Sequence, residues 1–344
     1  MADDKEVTIY DIAEYLQISA ATVSRGLKNS TSVNKHTRKK IADAAIALGY
    51  QSNTFASSLR SKSTNTLGVL VPRLNSYFMS SALAGMEKAA NLHGYHLIIA
   101  QSLEDVKKEK VNAATMFNKR VDGLLISLAY DTQDIEHLEP FFKRKIPVVF
   151  FDRVHPHNDS ISVVIDNYAA AYNVTQHLID QGCKRIMHLG GNLLRNVYND
   201  RFNGYRQALK DNNLPFQDKW HLVSTLSEKA GDAAARHILS LPPAKRPDGL
   251  FAANDTAAVH GMIALQAAGL RIPQDLAVAG FNNDPISKII APNLTTVDYS
   301  GDNMGITAVT NLINHLKGIS DLYSTNSITL RADLIVRASS LKKG

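Results

Sequence analysis

A single cysteine, Cys183, stands among the 344 residues. An intramolecular disulfide is therefore excluded, and the lone thiol points to a reducing compartment. No apolar run approaches the roughly 20 residues that span a bilayer. The chain starts Met1-Ala2-Asp3-Asp4-Lys5-Glu6, acidic where a secretory signal is basic and then apolar. A soluble, cytoplasmic protein with no membrane partner is expected. The glycine motifs of common enzymes are missing too. There is no Gly-x-Gly-x-x-Gly behind the first strand, no Gly-x-x-x-x-Gly-Lys-Ser/Thr and no Gly-x-Ser-x-Gly elbow. Gly190-Gly191 reads as a tight turn. His155-Pro156-His157 reads as a solvated loop, because the chain has one cysteine and proline separates the two imidazoles. No enzyme, cofactor, metal or catalytic residue is expected.

What is present is a globular composition, 44% hydrophobic and 20% charged, in a chain long enough for two or three domains. The formal charge of +6 is modest, but its placement is informative. Arg25, Lys28, Lys35, Arg38, Lys39, Lys40, Arg60 and Lys62 crowd one segment against a single acid, Asp43. Concentrated positive charge of this kind is the footprint of a nucleic-acid-binding module.

The residues around that charge spell three short helices. Thr8 and Asp11 form a capping box ahead of the apolar face Ile9, Ile12, Ala13 and Leu16. Ser19 caps a second helix with Val23 and Leu27 inward. Asn34 caps a third, with Ile41, Ala44, Ala45 and Leu48 inward and Gly49 as its stop. Joined through a tight Gln17-Ile18-Ser19 connection, they make a helix-turn-helix whose second helix enters the major groove. Ala20 and Ala21 sit where such a helix meets base edges. Thr22 and Ser24 can reach phosphates, and Arg25 can pair with guanine O6 and N7. The following Asn53–Arg60 stretch is polar and could form two helical turns only with a partner. Its Leu59 suits a wedge between minor-groove base steps.

Val7-Thr8-Ile9-Tyr10-Asp11-Ile12-Ala13, Ser19 through Arg25, and Gly49-Tyr50 through Leu59 resemble the headpiece of the lactose-repressor (LacI/GalR) family. The resemblance implies a homodimer on palindromic double-stranded operator DNA. It implies that Thr8, Tyr10, Thr22, Ser24, Asn29, Thr37, Tyr50 and Asn53 hold the backbone. It further implies that Ala20, Ala21 and Arg25 read bases, and that Ala56 and Leu59 act in the paired hinge helices. Ser52 stands where the family usually has proline, so a looser entry to the hinge is expected.

From Leu67 onward, apolar runs alternate with amphipathic helices. Strands are expected over Leu67–Pro72, Tyr95–Ala100, Val121–Leu128, Pro147–Phe151, Arg185–Leu189, Gly249–Ala253 and Asp275–Gly280. This is the pattern of parallel sheets covered on both faces, and its length calls for two of them. Ligands of open α/β sheets sit beyond the carboxyl ends of the strands. Those ends carry Arg73, Asn75, Tyr77 and Phe78, then Asp152-Arg153, Asn254-Asp255 and Asn282-Asn283-Asp284. Such groups hydrogen-bond hydroxyls or amides and stack on a flat face.

This part is similar to the effector domain of the same family and to the periplasmic sugar-binding fold. The resemblance implies effector contacts at Asp152, Arg201, Asn254 and Asn282, beside Asn75, Tyr77 and Phe78 read from the strand ends. Many members carry Asp at the position of Asn282, so a changed selectivity is expected. The expected architecture is an all-α headpiece over about 1–50, a hinge over about 51–65, and a two-lobed α/β unit over about 66–344. One lobe takes about 66–163 and 294–327, the other about 164–293 and 328–341, with crossovers near Val164, Asn293 and Ser327. The expected function is a DNA-binding transcription regulator, a repressor, controlled by a sugar or sugar derivative. A purine-type co-repressed regulator and a solute-binding protein without DNA binding are the alternatives.

Overall fold

The computed structural model describes residues 7–50 and 63–342. The chain divides into two compact units, Met1–Thr64 and Asn65–Gly344.

The first unit holds helices α1 (Ile9–Leu16), α2 (Ala20–Leu27) and α3 (Lys35–Ala47). Each starts where a short polar side chain replaces a missing helical hydrogen bond. The Thr8 hydroxyl accepts from Tyr10 N, while Asp11 accepts from Thr8 N at 2.6 Å, completing the capping box. Ser19 Oγ accepts from Thr22 N at 3.2 Å, and Asn34 Oδ1 from Thr37 N at 2.8 Å. Gln17 ends α1 in the left-handed conformation, φ 53°, which makes the connection to α2 tight. Ile12, Val23, Val33, Ile41, Ala44 and Ala45 close the small core.

The second unit is α/β with two parallel sheets. The larger has strand order β11-β5-β4-β3-β1-β2, from Ser327–Leu330 through Ser160–Ile165, Val148–Phe151, Gly123–Ile126 and Thr66–Val71 to His96–Gln101. The smaller has order β7-β6-β8-β9, from His221–Val223 through Ile186–Gly190 and Gly249–Ala252 to Ala277–Ala279. A short antiparallel pair, β10 (Thr296–Val297) with β12 (Leu334–Ile335), adjoins the end of β9 through isolated bridges at Ala279–Thr295 and Asn282–Asp298. The chain passes between the sheets after Ile165, around β10 and again after Leu330. The third passage lies beyond the Ser327 expected, because Ser327–Leu330 first pairs in parallel with β5. One apolar cluster joins the two sheets, running from Val69, Leu125 and Phe151 to Phe251, Phe281 and Tyr299.

Helix α4 (Tyr77–Leu92) and helix α12 (Gly301–Leu316) approach each other closely, and glycine is the reason. A Cβ at Gly85 would overlap the Asp302 carbonyl oxygen, and one at Gly305 the Ala82 carbonyl oxygen. The obstacle is backbone, so no side-chain rotation relieves it. Overpacking of a closed core costs about 1–3 kcal/mol. Gly305→Ala is accordingly expected to lower the unfolding free energy of the second unit by about that amount. Denaturant titration of wild type and variant checks it, and equal midpoints would refute the close approach.

Candidate functional site

In the headpiece, Tyr10 is 67% exposed, and Thr8, Ala21, Arg25 and Asn29 are exposed as well. Thr22, Ser24, Thr37 and Tyr50 are half-buried. The Thr22 hydroxyl already pairs with Ser19 Oγ at 2.8 Å, and Arg25 Nε donates to Ala21 O at 3.3 Å. Ala20 is half-buried and packs on the headpiece core, so Ala21 is the more open of the two alanines expected to meet bases. Asn29 adopts φ 53° behind α2, a conformation asparagine tolerates, and its carbonyl accepts from Arg38 Nη1 at 3.1 Å. Asn53, Ala56 and Leu59 lie outside the described residues.

The second unit contains a cavity of about 740 Å³ at the carboxyl ends of β1, β4, β8 and β9. That volume is in the range of small-molecule sites. Asn75, Tyr77, Phe78, Asp152, Arg201, Asn254 and Asn282 all line it. So do Glu104, Arg153, Tyr198, Asp284 and Tyr299. Arg153 and Asp284 belong to the polar strand ends. Tyr198 lies in helix α8 (Asn196–Asp211), which no strand-end pattern reaches, and Tyr299 lies just past β10, a strand of only 2 residues.

A polar network forms the cavity's inner wall. Arg201 is 3% exposed, and its Nε and Nη1 donate to Asn167 Oδ1 and Ala253 O, both at 2.8 Å. Its guanidinium lies 3.6 Å from the Phe281 ring centroid. Tyr299 OH donates to Asp152 Oδ1 at 2.7 Å, and the Tyr299 ring stacks on Phe78 at 4.1 Å. Burial pushes the Asp152 carboxyl up, against the opposing pull of Arg153, the Tyr299 hydroxyl and Arg201. Burial likewise pulls Arg201 down, opposed by Tyr299, Tyr198 and Asp152. Asp152 has φ 58°, an uncommon conformation that turns its side chain off the end of β4. Arg153 donates to Glu104 Oε2 at 2.7 Å and to Tyr198 OH at 3.0 Å.

Two expected contact residues have structural duties as well. Asn254 caps helix α10 (Asp255–Ala267), its Oδ1 accepting from Ala257 N and its Nδ2 donating to Leu226 O. Both ends of the amide are thereby engaged. Asn282 has φ 111° and holds its backbone N on Val297 O at 3.2 Å. Among the described residues, no cluster of three or more His, Cys, Asp or Glu could hold a metal ion. His157 Nδ1 accepts from Asp159 N at 3.1 Å and its ring stacks on Phe142 at 3.9 Å. Among the described residues no helix is long and apolar enough to cross a membrane.

Behind the cavity wall, Asp255 is fully buried, accepting from Thr296 Oγ1 and Asp284 N, each at 2.7 Å. Burial pushes its carboxyl up to about 8. Between the ordinary carboxylate value and about 8 the folded chain holds a proton that the unfolded chain has released, so stability must fall as pH rises across that window. The stability of wild type relative to Asp255→Asn is expected to decline from pH 5 to pH 8 and then level. Melting curves of both proteins over that range check it; a constant difference would mean Asp255 is ionised throughout.

The comparisons with known proteins cover both units. The model of bacterial regulatory proteins of the lacI family matches residues 8–53, and that of a periplasmic binding protein-like domain matches residues 175–340. Catabolite control protein A of Priestia megaterium is 32% identical over 90% of this chain and 92% of its own length. The ribose operon repressor of Haemophilus influenzae is 30% identical over 96% of this chain and 98% of its own. Among solved structures, the lac repressor dimer bound to operator and the anti-inducer ONPF superposes with a TM-score of 0.86 at 25% identity, covering 98% of this chain and 100% of that one. With its helix-turn-helix, its two-lobed α/β unit and relatives matched nearly end to end, this chain belongs to the lacI family of bacterial regulatory proteins.

Proposed function

We propose that this DNA-binding transcription regulator is a cytoplasmic homodimer that represses from a palindromic operator and is induced by a sugar or sugar derivative. The observation that carries the reading is the joint presence, in one chain, of a capped helix-turn-helix and a polar cavity at the strand ends. Ala21 and Arg25 present their side chains from α2 to base edges, and Thr8, Tyr10, Thr22, Ser24, Asn29, Thr37 and Tyr50 hold phosphates. Asn53, Ala56 and Leu59 act in the hinge, Leu59 as the minor-groove wedge. Asp152, Arg201, Asn254 and Asn282, with Asn75, Tyr77 and Phe78, hold the effector. Dimerisation is supported by a row of apolar side chains on the edge strand β2 and its flanks. Leu92, Ile98, Ile99, Leu103 and Val111 are 36–78% exposed. A bare apolar edge of this kind invites a second copy of the chain.

The mechanism is a population shift. The two lobes have arrangements that differ in how they present the hinge segments to DNA, and an effector that prefers one arrangement changes operator affinity. A coupling of about 1–3 kcal/mol corresponds to roughly 5- to 150-fold.

An operator selected from genomic DNA with the full-length protein supplies the test. In fluorescence anisotropy, Arg201→Ala is expected to abolish the sugar-induced loss of DNA binding while unliganded binding persists; a retained response would put the effector elsewhere. Ile99→Asp is expected to shift the protein to monomer in light scattering and to weaken operator binding. A dimer that survives the substitution would move the interface off β2.

A further inference from the structure

One acceptor in this cavity stands out from the rest. Asp284 is a lining residue only 7% exposed, and its Oδ1 is buried without a hydrogen-bond partner. A buried oxygen that has lost water and gained no donor is costly, so such an atom in a cavity wall points to a ligand.

The loop that presents Asp284 is built for the purpose. Asn282 and Asn283 adopt φ 111° and 56°, two successive left-handed conformations at residues other than glycine. Asn283 carries the anchoring: its N donates to Thr296 Oγ1 at 3.2 Å, its Nδ2 to Asp298 Oδ1 at 3.1 Å, and its Oδ1 accepts from Arg337 Nη2 at 2.7 Å. The backbone of Asp284 is held as well, its N on Asp255 Oδ2 at 2.7 Å and its O accepting from Ser287 Oγ at 2.6 Å. The turn is therefore fixed by its main chain and by Asn283; the Asn282 side chain also bonds the Asp284 carboxylate, whose Oδ1 is left for the cavity.

The surrounding chemistry selects the class of ligand. Arg73, Arg153, Arg201 and Lys229 line the cavity together with Glu104, Asp152 and Glu228, so its wall mixes both signs and offers no single counter-charge to a cation or an anion. An acid brought to the same spot as Asp284 would meet its carboxylate in a setting of low dielectric. A hydroxyl donates to a carboxylate and accepts from a guanidinium, so a neutral polyol satisfies both walls. We propose that Asp284 is the acceptor that makes this cavity selective for neutral polyhydroxylated effectors, taking hydrogen bonds from ligand hydroxyls and rejecting ligands that present an acid there. This rests on the cavity being the effector site.

Isothermal titration of the full-length protein tests it, with D-ribose, D-galactose, D-glucose and cellobiose as neutral probes and D-galacturonate and glucose 6-phosphate as acidic ones. At least one neutral sugar is expected to bind wild type. Asp284→Leu should weaken it at least about tenfold, whereas Asp284→Asn, which keeps an acceptor of the same shape, should stay within about threefold. In Asp284→Asn the ratio of neutral to acidic affinity should also fall. Equal neutral-sugar affinity in wild type and Asp284→Leu, with loss in Arg201→Ala, overturns the role of Asp284 and leaves the cavity as the effector site. Unchanged affinity in both Asp284→Leu and Arg201→Ala overturns the site itself. If no neutral sugar binds wild type, or only the acidic probes do, the proposed class is wrong. Should Asp284→Leu melt far below wild type, the neutral-to-acidic ratio in Asp284→Asn decides alone.

Discussion

A guanidinium taken almost wholly out of water has to find its donors' partners inside the protein, and Arg201 finds them at the start of the helix that follows β5 and at the end of β8. Asn167 opens the helix entered directly after β5, Ala253 follows β8, and Phe281 follows β9. Asp152, at the end of β4, shares the burial through Tyr299. One side chain thus ties two strand ends of the smaller sheet to the helix reached by the passage from the larger one. The wall of the cavity and the end of a passage between the lobes are consequently held by the same side chain.

That overlap explains how a small ligand could act at a distance on the proposed mechanism. The apolar cluster joining the sheets is continuous, and the α4–α12 crossing is backed by carbonyl oxygens at Gly85 and Gly305. Packed interiors of this kind move between discrete arrangements rather than deforming gradually. A ligand that touches Asp152 and Arg153 on one side and Asn282 or Asp284 on the other contacts both lobes at once. Any preference it has for one lobe arrangement becomes a free-energy difference at the hinge.

Much of this was readable from residue order. Thr8, Ser19 and Asn34 announce their helices because capping is a local transaction, completed within three residues. The main buried strands are legible because each is a continuous apolar run, as Leu67–Val71 and Val148–Phe151 show. Strands β5, β7 and β11, with the short β10 and β12, escaped notice for the opposite reason, β5 because Ser160 and Ser162 break its apolar run. His221–Val223 is short, and Ser327–Leu330 is a sheet edge with alternating exposure, so neither carries an apolar run. The strand ends pointed to the cavity, since open sheets bind beyond their carboxyl ends. Tyr198 could not be found that way because it arrives from a helix, and Tyr299 because it follows β10, a strand too short to show as an apolar run.

The amino-acid sequence by itself determined the helix-turn-helix, the parallel α/β character and most of the cavity's polar residues. Those features depend on contacts a few residues apart or on burial patterns that repeat along an element. Only the tertiary structure decided which polar groups are already engaged and which face the cavity. Asn254 is engaged as a helix cap, Asp152 holds a tyrosine, and Asp284 keeps one oxygen without a partner. The difference lies in hydrogen bonds spanning many residues, such as Tyr299 to Asp152 and Arg337 to Asn283. Such bonds exist only after the sheets have been brought together, so no local pattern encodes which donor will reach which acceptor.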